Sequence, residues 1–254
     1  MTDTDNLVRP AATVVIVRDK PHGPADILMM ERARSMAFAG GALVFPGGAV
    51  DEGDRALAAA FAPRLEPDDA AARVAAIRET LEESGIGIGF AAPPEPALLA
   101  KMRRALAEGA ELSALVEAHR LELALDALLP FTRWLPSRPT SRIFDARFYL
   151  AKAPGGQEAS VDGTENTRLF WSSARETLAR CASGEGFIIF PTRRNLERLA
   201  QFDSFEALAA HAAATPPEKV TPWIEDRDGV PHICIPTHLG YPITSEPVAT
   251  AIRR

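Results

Sequence analysis

Cysteine is scarce in this chain, with two in 254 residues, Cys181 and Cys234. They stand far apart, without metal-type spacing and without a disulfide framework, so they read as reduced thiols of a cytoplasmic protein. Basic runs are absent. Lys and Arg are scattered and the formal net charge is −6, which argues against nucleic acid and against a membrane surface as partner. Long apolar runs are absent too. The stretch Ala11–Val17 is far short of the roughly 20 residues of a membrane span, and the acidic segment before it lacks the basic flank of a signal peptide. There is no G-x-S-x-G element and no P-loop. Histidine offers little: His119 falls on an apolar helical face as a core residue, and His232 and Cys234 alone do not make a metal site.

What is present is ordinary for a globular protein, 46% hydrophobic and 24% charged. Ala12–Asp19, the segment ILMMERA and the segment GALVFPGG read as strands, followed by a short helical piece from Arg55 to Pro67. Asp68 or Asp69 caps a helix from about Ala70 to Ser84, which Gly85 ends. GIGIGF reads as the start of a strand, and Leu98–Leu128 as two helices. Strands return in LLPFTRWL, in RIFDARFYLA and in TRLFWS. Three helical stretches and a hairpin turning at Asp228-Gly229 complete the chain. The interleaving predicts an α/β or α+β fold with a helical insertion and a C-terminal appendage.

The chemistry concentrates in RETLEESG, Arg78 to Gly85. On a helix, Val74, Ile77 and Leu81 form an apolar stripe, and Glu79, Glu82 and Glu83 cluster on another face. Glu79 and Glu83 are i,i+4 neighbours, about 5–6 Å apart at Cβ. Like charges at that spacing repel, and they stand at the helix end that disfavours anions. A solvated acidic face explains an isolated Glu-Glu pair. Flanked by FPGG and an Arg-Glu pair, the cluster points to a hard divalent cation, Mg²⁺ or Mn²⁺.

These residues resemble the Nudix box, G-x5-E-x7-R-E-U-x-E-E-x-G-U with U aliphatic. Gly48 takes the first position, and Arg78, Glu79, Glu82, Glu83, Gly85 and Ile86 take the second half. Thr80 stands in an aliphatic position, and Asp54 where the first Glu belongs. Between Asp54 and Arg78 lie 23 residues rather than seven. That insertion leaves the carboxylate helix whole but puts the pairing of first carboxylate and Arg in question. The long box and the upstream run LMMERARSMAFAGGALVFPGG resemble the coenzyme A and acyl-CoA diphosphatase branch. Leu28, Arg32, Gly41 and FPGG fit its signature, and Met30, Ala33 and Ala37 depart from it.

The resemblance implies a Nudix α/β/α sandwich over residues 8–254, with insertions at 55–70 and 96–128 and an appendage at 186–254. It implies Glu79, Glu83 and Glu82 as metal ligands with the carbonyl of Gly47, and Arg78 as the residue that orients a glutamate. The base is a box glutamate or Glu165 on a later loop, with Glu158 and Asp162 as weaker choices. Arg32, Gly48, Phe45, Arg147 and Tyr149 are the substrate-binding candidates. The implied reaction is hydrolysis of a nucleoside diphosphate linked to another group, with CoA or acyl-CoA giving 3′,5′-ADP and 4′-phosphopantetheine. ADP-ribose, NADH or a nucleotide sugar are alternative substrates, and a non-catalytic nucleotide sensor is an alternative role. The sequence sets no oligomeric state.

Overall fold

The computed structural model of the chain describes residues 8–35, 39–62, 64–136, 143–161 and 166–251. Strand β1 (Val8–Arg18) is central. It runs parallel to β6 (Ile143–Lys152) along ten paired positions, from Val8↔Ile143 to Val17↔Lys152. Its other edge is shared by β2 (Asp26–Arg32) and β4 (Gly47–Ala49), both antiparallel. With both edges paired and both faces covered, Val14, Val15, Ile16 and Val17 are all fully buried. This is why the strand reads as an unbroken β-branched run rather than an alternation. Strand β2 also pairs β3 (Leu43–Val44) and β7 (Asn166–Ser172). Beyond β6 come β5 (Leu129–Trp134) and β8 (Lys219–Val220), giving the order β3-β2-β1-β6-β5-β8.

Helices cover both faces of this mixed sheet, so the fold is the expected α/β sandwich. On one face Val14, Ile16 and Leu28 pack against Val74, Ile77 and Leu81 of helix α2 (Pro67–Ser84). On the other, Val15, Val17, Met29 and Leu150 meet Leu196 and Leu199 of α6 (Phe190–Leu199) and Leu208 of α7 (Phe205–Ala214). Helix α5 (Ala174–Ala182) packs beside α6.

Helix α2 is almost wholly buried. Ala70, Ala71, Ala72, Ala75 and Ala76 present small side chains that let it lie close to the sheet and accept a second helix behind it. It starts three residues earlier than the sequence suggested. Pro67 takes the first turn, where its missing N–H costs nothing, and Glu66 is the cap, its carboxylate accepting from the Asp68 and Asp69 N–H groups at 3.0 and 2.9 Å. Gly85 ends the helix in the left-handed region, at φ 74°, as expected.

Two sequence readings fail here. GIGIGF is not a strand beyond one isolated bridge, Phe90↔Leu123. Its main-chain groups are taken elsewhere, the Gly87 N–H by the Gln157 side chain and the Gly89 carbonyl by the Ala124 N–H. His119 is exposed rather than in the core. Helix α4 (Leu112–Ala118) stops one residue before it, so the buried face ends with Leu112 and Val116.

The two segments that the sequence suggests as insertions, 55–70 and 96–128, contribute helices that pack on each other. Helix α1 (Glu52–Phe61) puts Leu57 and Ala58 into the same apolar cluster as Leu112 and Val116. Helix α3 (Pro96–Ala107) buries Leu99, Met102 and Leu106 against the α2 layer. In the C-terminal part, β9 (Trp223–Arg227) and β10 (Val230–Cys234) form the expected hairpin, with Asp228 and Gly229 both at positive φ. Strand β11 (Ser245–Pro247) joins it, followed by the short helix α8 (Val248–Ala251). The Tyr241 hydroxyl anchors this part to Thr132 of β5 at 2.7 Å. No helix among the described residues is long and apolar enough to cross a membrane.

Candidate active site

The last two turns of α2 lie beside the β4 glycines and the end of β7. Arg78 organises them. Its Nε and Nη2 donate to the two oxygens of Asp54 at 3.0 and 2.9 Å, a bidentate pair, and Nη2 also reaches the Ala49 carbonyl at 3.0 Å. Its Nη1 donates to Glu79 at 2.9 Å and to Glu82 at 3.3 Å. Asp54 is 2% exposed and accepts also from the Asp51 N–H, closing the first turn of α1. The 23 residues between Asp54 and Arg78 therefore leave the pair intact: α1 begins before Asp54 and holds it at the third helical position, and the chain returns to Arg78 through α2. The hydrogen bonds to Asp54 and the neighbouring carboxylates outweigh burial and hold the Arg78 pKa above its ordinary value.

Glu83 is 4% exposed. It accepts from the Gly47 N–H at 2.8 Å and from the Asn166 amide at 3.4 Å. Burial still pushes its carboxyl up to about 8, with the Glu79 charge adding to the rise, and the Gly47 hydrogen bond and the Arg32 charge pulling against it. Glu79 is pushed up to about 7, again by burial first, against the pull of Arg78. Gly47 runs at φ 152° with its Cα against the Ala12 carbonyl, where any Cβ would collide. A Cβ on Gly48 would land on the Glu79 carboxylate. Both glycines are there for close approach.

In this geometry protein donors hold the three carboxylates, and among the described residues no group of three or more His, Cys, Asp or Glu side chains is poised around one point. The residues still fit a hard divalent cation. All three ligating groups are carboxylates, and two of them, Glu79 and Glu83, are held above their ordinary pKa chiefly by burial, so they lack full charge compensation. A pH dependence follows. Both folded-state values lie above the ordinary 4.5, so the associated stability is fully present below about pH 4.5 and is lost as pH rises through 7 and 8. Without divalent ion, the melting temperature should fall between pH 5 and pH 8.5. Added Mg²⁺ should recover it most at the alkaline end, in calorimetric scans worth about 2–4 °C per kcal/mol. Gly48→Ala should displace Glu79 and weaken Mg²⁺ binding about tenfold, read by titration calorimetry.

The structure separates the other candidates. Arg32 ends β2 at a bulge opposite Asn166, and its charge reaches Glu83. Phe45 is 4% exposed and packs edge-to-face on Phe148, so it offers no face to a base. Arg147 and Tyr149 do not line the carboxylate site. Arg147 pairs with Glu66 and Asp69 at 3.3 and 3.5 Å, and the buried Tyr149 hydroxyl donates to Asp69 at 2.8 Å. That end of α2 is about 15 Å from Glu79 at 1.5 Å per residue. The strand face that looked polar lies under the first turn of α2, whose acids satisfy it. Glu165, Asp162 and Ala37 lie outside the described residues. Glu158 is exposed on a nearby loop.

Two residues escaped the sequence reading. Asn166, next in sequence to the base candidate Glu165, donates to Glu83. Arg103 of α3 donates to the Glu82 and Glu83 carbonyls at 2.8 and 3.0 Å, closing the C-terminus of the carboxylate helix with a positive charge.

No family model matches the chain. A crystal structure of a NUDIX hydrolase from Alicyclobacillus acidocaldarius superposes with a TM-score of 0.71 and 31% identity, covering 83% of this chain and 97% of that one. The chain belongs to the Nudix hydrolase family. As a Nudix hydrolase it acts on pyrophosphate bonds. Acyl-coenzyme A diphosphatase NUDT19 of Homo sapiens is 26% identical over 282 residues, 89% of this chain and 75% of the human protein. NUDT19 of Gallus gallus is 28% identical over 271 residues, 79% of this chain and 70% of the chicken protein.

Proposed function

We propose that this Nudix hydrolase is a divalent-metal-dependent diphosphatase of CoA and acyl-CoA, releasing 3′,5′-ADP and the 4′-phosphopantetheine product. The observation that carries the reading is the likeness to acyl-coenzyme A diphosphatases, which spans 89% of the chain rather than the box alone. The intact Asp54–Arg78 pair supports it, because it keeps the carboxylate helix in working order despite the long insertion.

Glu79 and Glu83 would be the main ligands in this proposal, joined by Glu82 and the Gly47 carbonyl. A bound Mg²⁺ or Mn²⁺ supplies charge neutralisation on the diphosphate and lowers the pKa of a coordinated water. Arg78 orients Glu79 and Glu82, and Arg32 approaches a substrate phosphate from the end of β2. The water-activating base is Glu82 or Glu165. A cytoplasmic location is part of the proposal and is supported by the two cysteines, neither of which forms a disulfide.

Product identification tests the reading. CoA, hexanoyl-CoA, ADP-ribose, NADH and a nucleotide sugar are incubated with enzyme and Mg²⁺ or Mn²⁺, and the products are resolved by chromatography. Release of 3′,5′-ADP from both CoA species is expected. Turnover of ADP-ribose far above CoA would overturn the substrate assignment. Tight nucleotide binding without hydrolysis under either metal would make the protein a sensor.

A further inference from the structure

A cleft of about 440 Å³ opens beside Glu82 and Gly85, at the end of the carboxylate helix. This volume lies within the range of small-molecule sites. One wall is helix α3, through Pro96, Leu99, Ala100 and Ala107, and the other is the segment bearing Gln157 and Val161. From Pro96 to Ala107 the helix offers about 16 Å of wall. The cleft is built rather than incidental. Ser160 donates its N–H to the Ser84 carbonyl at 2.9 Å, and Arg103 ties the Ser160 carbonyl to the same helix end at 2.9 Å.

The lining chooses between the two halves of a dinucleotide-like substrate. No Phe, Tyr, Trp or His lines the cleft among the described residues, so it offers nothing for a base to stack on. Its charges are mixed, Arg103 and Arg104 against Glu82 and Glu158, and Arg103 is already committed to main-chain carbonyls. That balance does not select a phosphate. The remaining wall is apolar apart from Ser160, whose hydroxyl is taken by Arg103 at 2.7 Å, and Gln157. Gln157 accepts from the Gly87 N–H through Oε1 at 2.8 Å, while its Nε2 is buried without a hydrogen-bond partner. Gln157 thus carries a spare amide donor, of the kind that suits an amide carbonyl.

From this geometry we infer that the cleft between α3 and residues 157–161 binds the amide-bearing, apolar arm of the substrate. In CoA this is the pantetheine chain, with the outer end at Ala107 and Val161 left for an acyl group. The inference rests on the CoA reading above and adds the site that recognises the leaving half.

The test compares the two products as inhibitors. In Ala100→Trp, which fills the cleft from an exposed helix position, the KM for CoA and the Ki of 4′-phosphopantetheine should rise about tenfold or more, as a misfit in a pocket produces. The Ki of 3′,5′-ADP should change less than about twofold. Gln157→Glu keeps the acceptor for Gly87 and turns the donor into a charged acceptor. It should raise the same two constants, and it decides the matter if the tryptophan variant does not fold. If the wild type cleaves CoA but the Ki of 3′,5′-ADP rises instead, or neither Ki moves, the cleft assignment fails alone. If the wild type does not cleave CoA, the substrate reading fails and takes this inference with it.

Discussion

Glu83→Gln is expected to cut kcat for Mg²⁺-dependent hydrolysis by about 10³-fold, because losing a ligand carboxylate removes several kcal/mol of metal-borne stabilisation at 1.36 kcal/mol per tenfold. The informative part is the stability of the variant. Glu83 is buried and its carboxyl is pushed up to about 8, so at neutral pH the native protein holds this group against its preference. Glutamine has the same shape and no charge. Its carbonyl still accepts from the Gly47 N–H, and the Asn166 amide can turn to present its oxygen. Without divalent ion the variant should melt no lower than the wild type at pH 8, and its melting temperature should lose part of the pH dependence. A side chain kept for the scaffold gives the opposite result, with activity following stability downward. Calorimetry and kinetics on the same preparation separate the two.

Arg78→Ala should have the largest effect on folding. The substitution leaves Asp54, 2% exposed, as a buried carboxylate without its bidentate partner. Breaking such a pair from one side costs about 3–5 kcal/mol, which in a chain of this size lowers the melting temperature by about 10 °C. The Ala49 carbonyl loses a donor as well, and Glu79 and Glu82 lose their common one. Arg78→Lys should recover little, since a single ammonium cannot span both oxygens of Asp54 and also reach Glu79. Adding Asp54→Ala to Arg78→Ala should restore part of the lost stability but none of the activity. A double-mutant cycle by denaturant melts measures that coupling. Additive losses in the cycle would show that the pair does not act as one unit.

Sequence revealed those parts of the molecule that depend on local periodicity and spacing. The central strand, the carboxylate helix with its glycine stop, the β-hairpin and the glutamate cluster all carry their own short-range patterns. The start of α2 was misplaced because Glu66 capping a Pro67 start competes with two aspartates that are also good caps. GIGIGF was misread because apolar alternation looks the same whether a segment pairs with a strand or crosses a helix. Arg147 and Tyr149 meet the acids of the first turn of α2 rather than the carboxylate cluster, because alternation tells which residues share a face but not what covers it. Phe45 stood between the same two readings, since an aromatic beside a glycine turn serves the core or a ligand equally well on paper, and its place is the core. Arg103 carries no local signal at all. Its partners are 20 and 21 residues away, and only the return of α3 onto the end of α2 brings them together.

The contact between α1 and α4 has a consequence for how this architecture can change. Leu57 and Ala58 of one helix and Leu112 and Val116 of the other share a single buried apolar interface. Removing either segment would leave the other with an oily flank in water. The two lengths of chain are thus coupled in stability, and a truncation that spares the apolar interface would have to take both together.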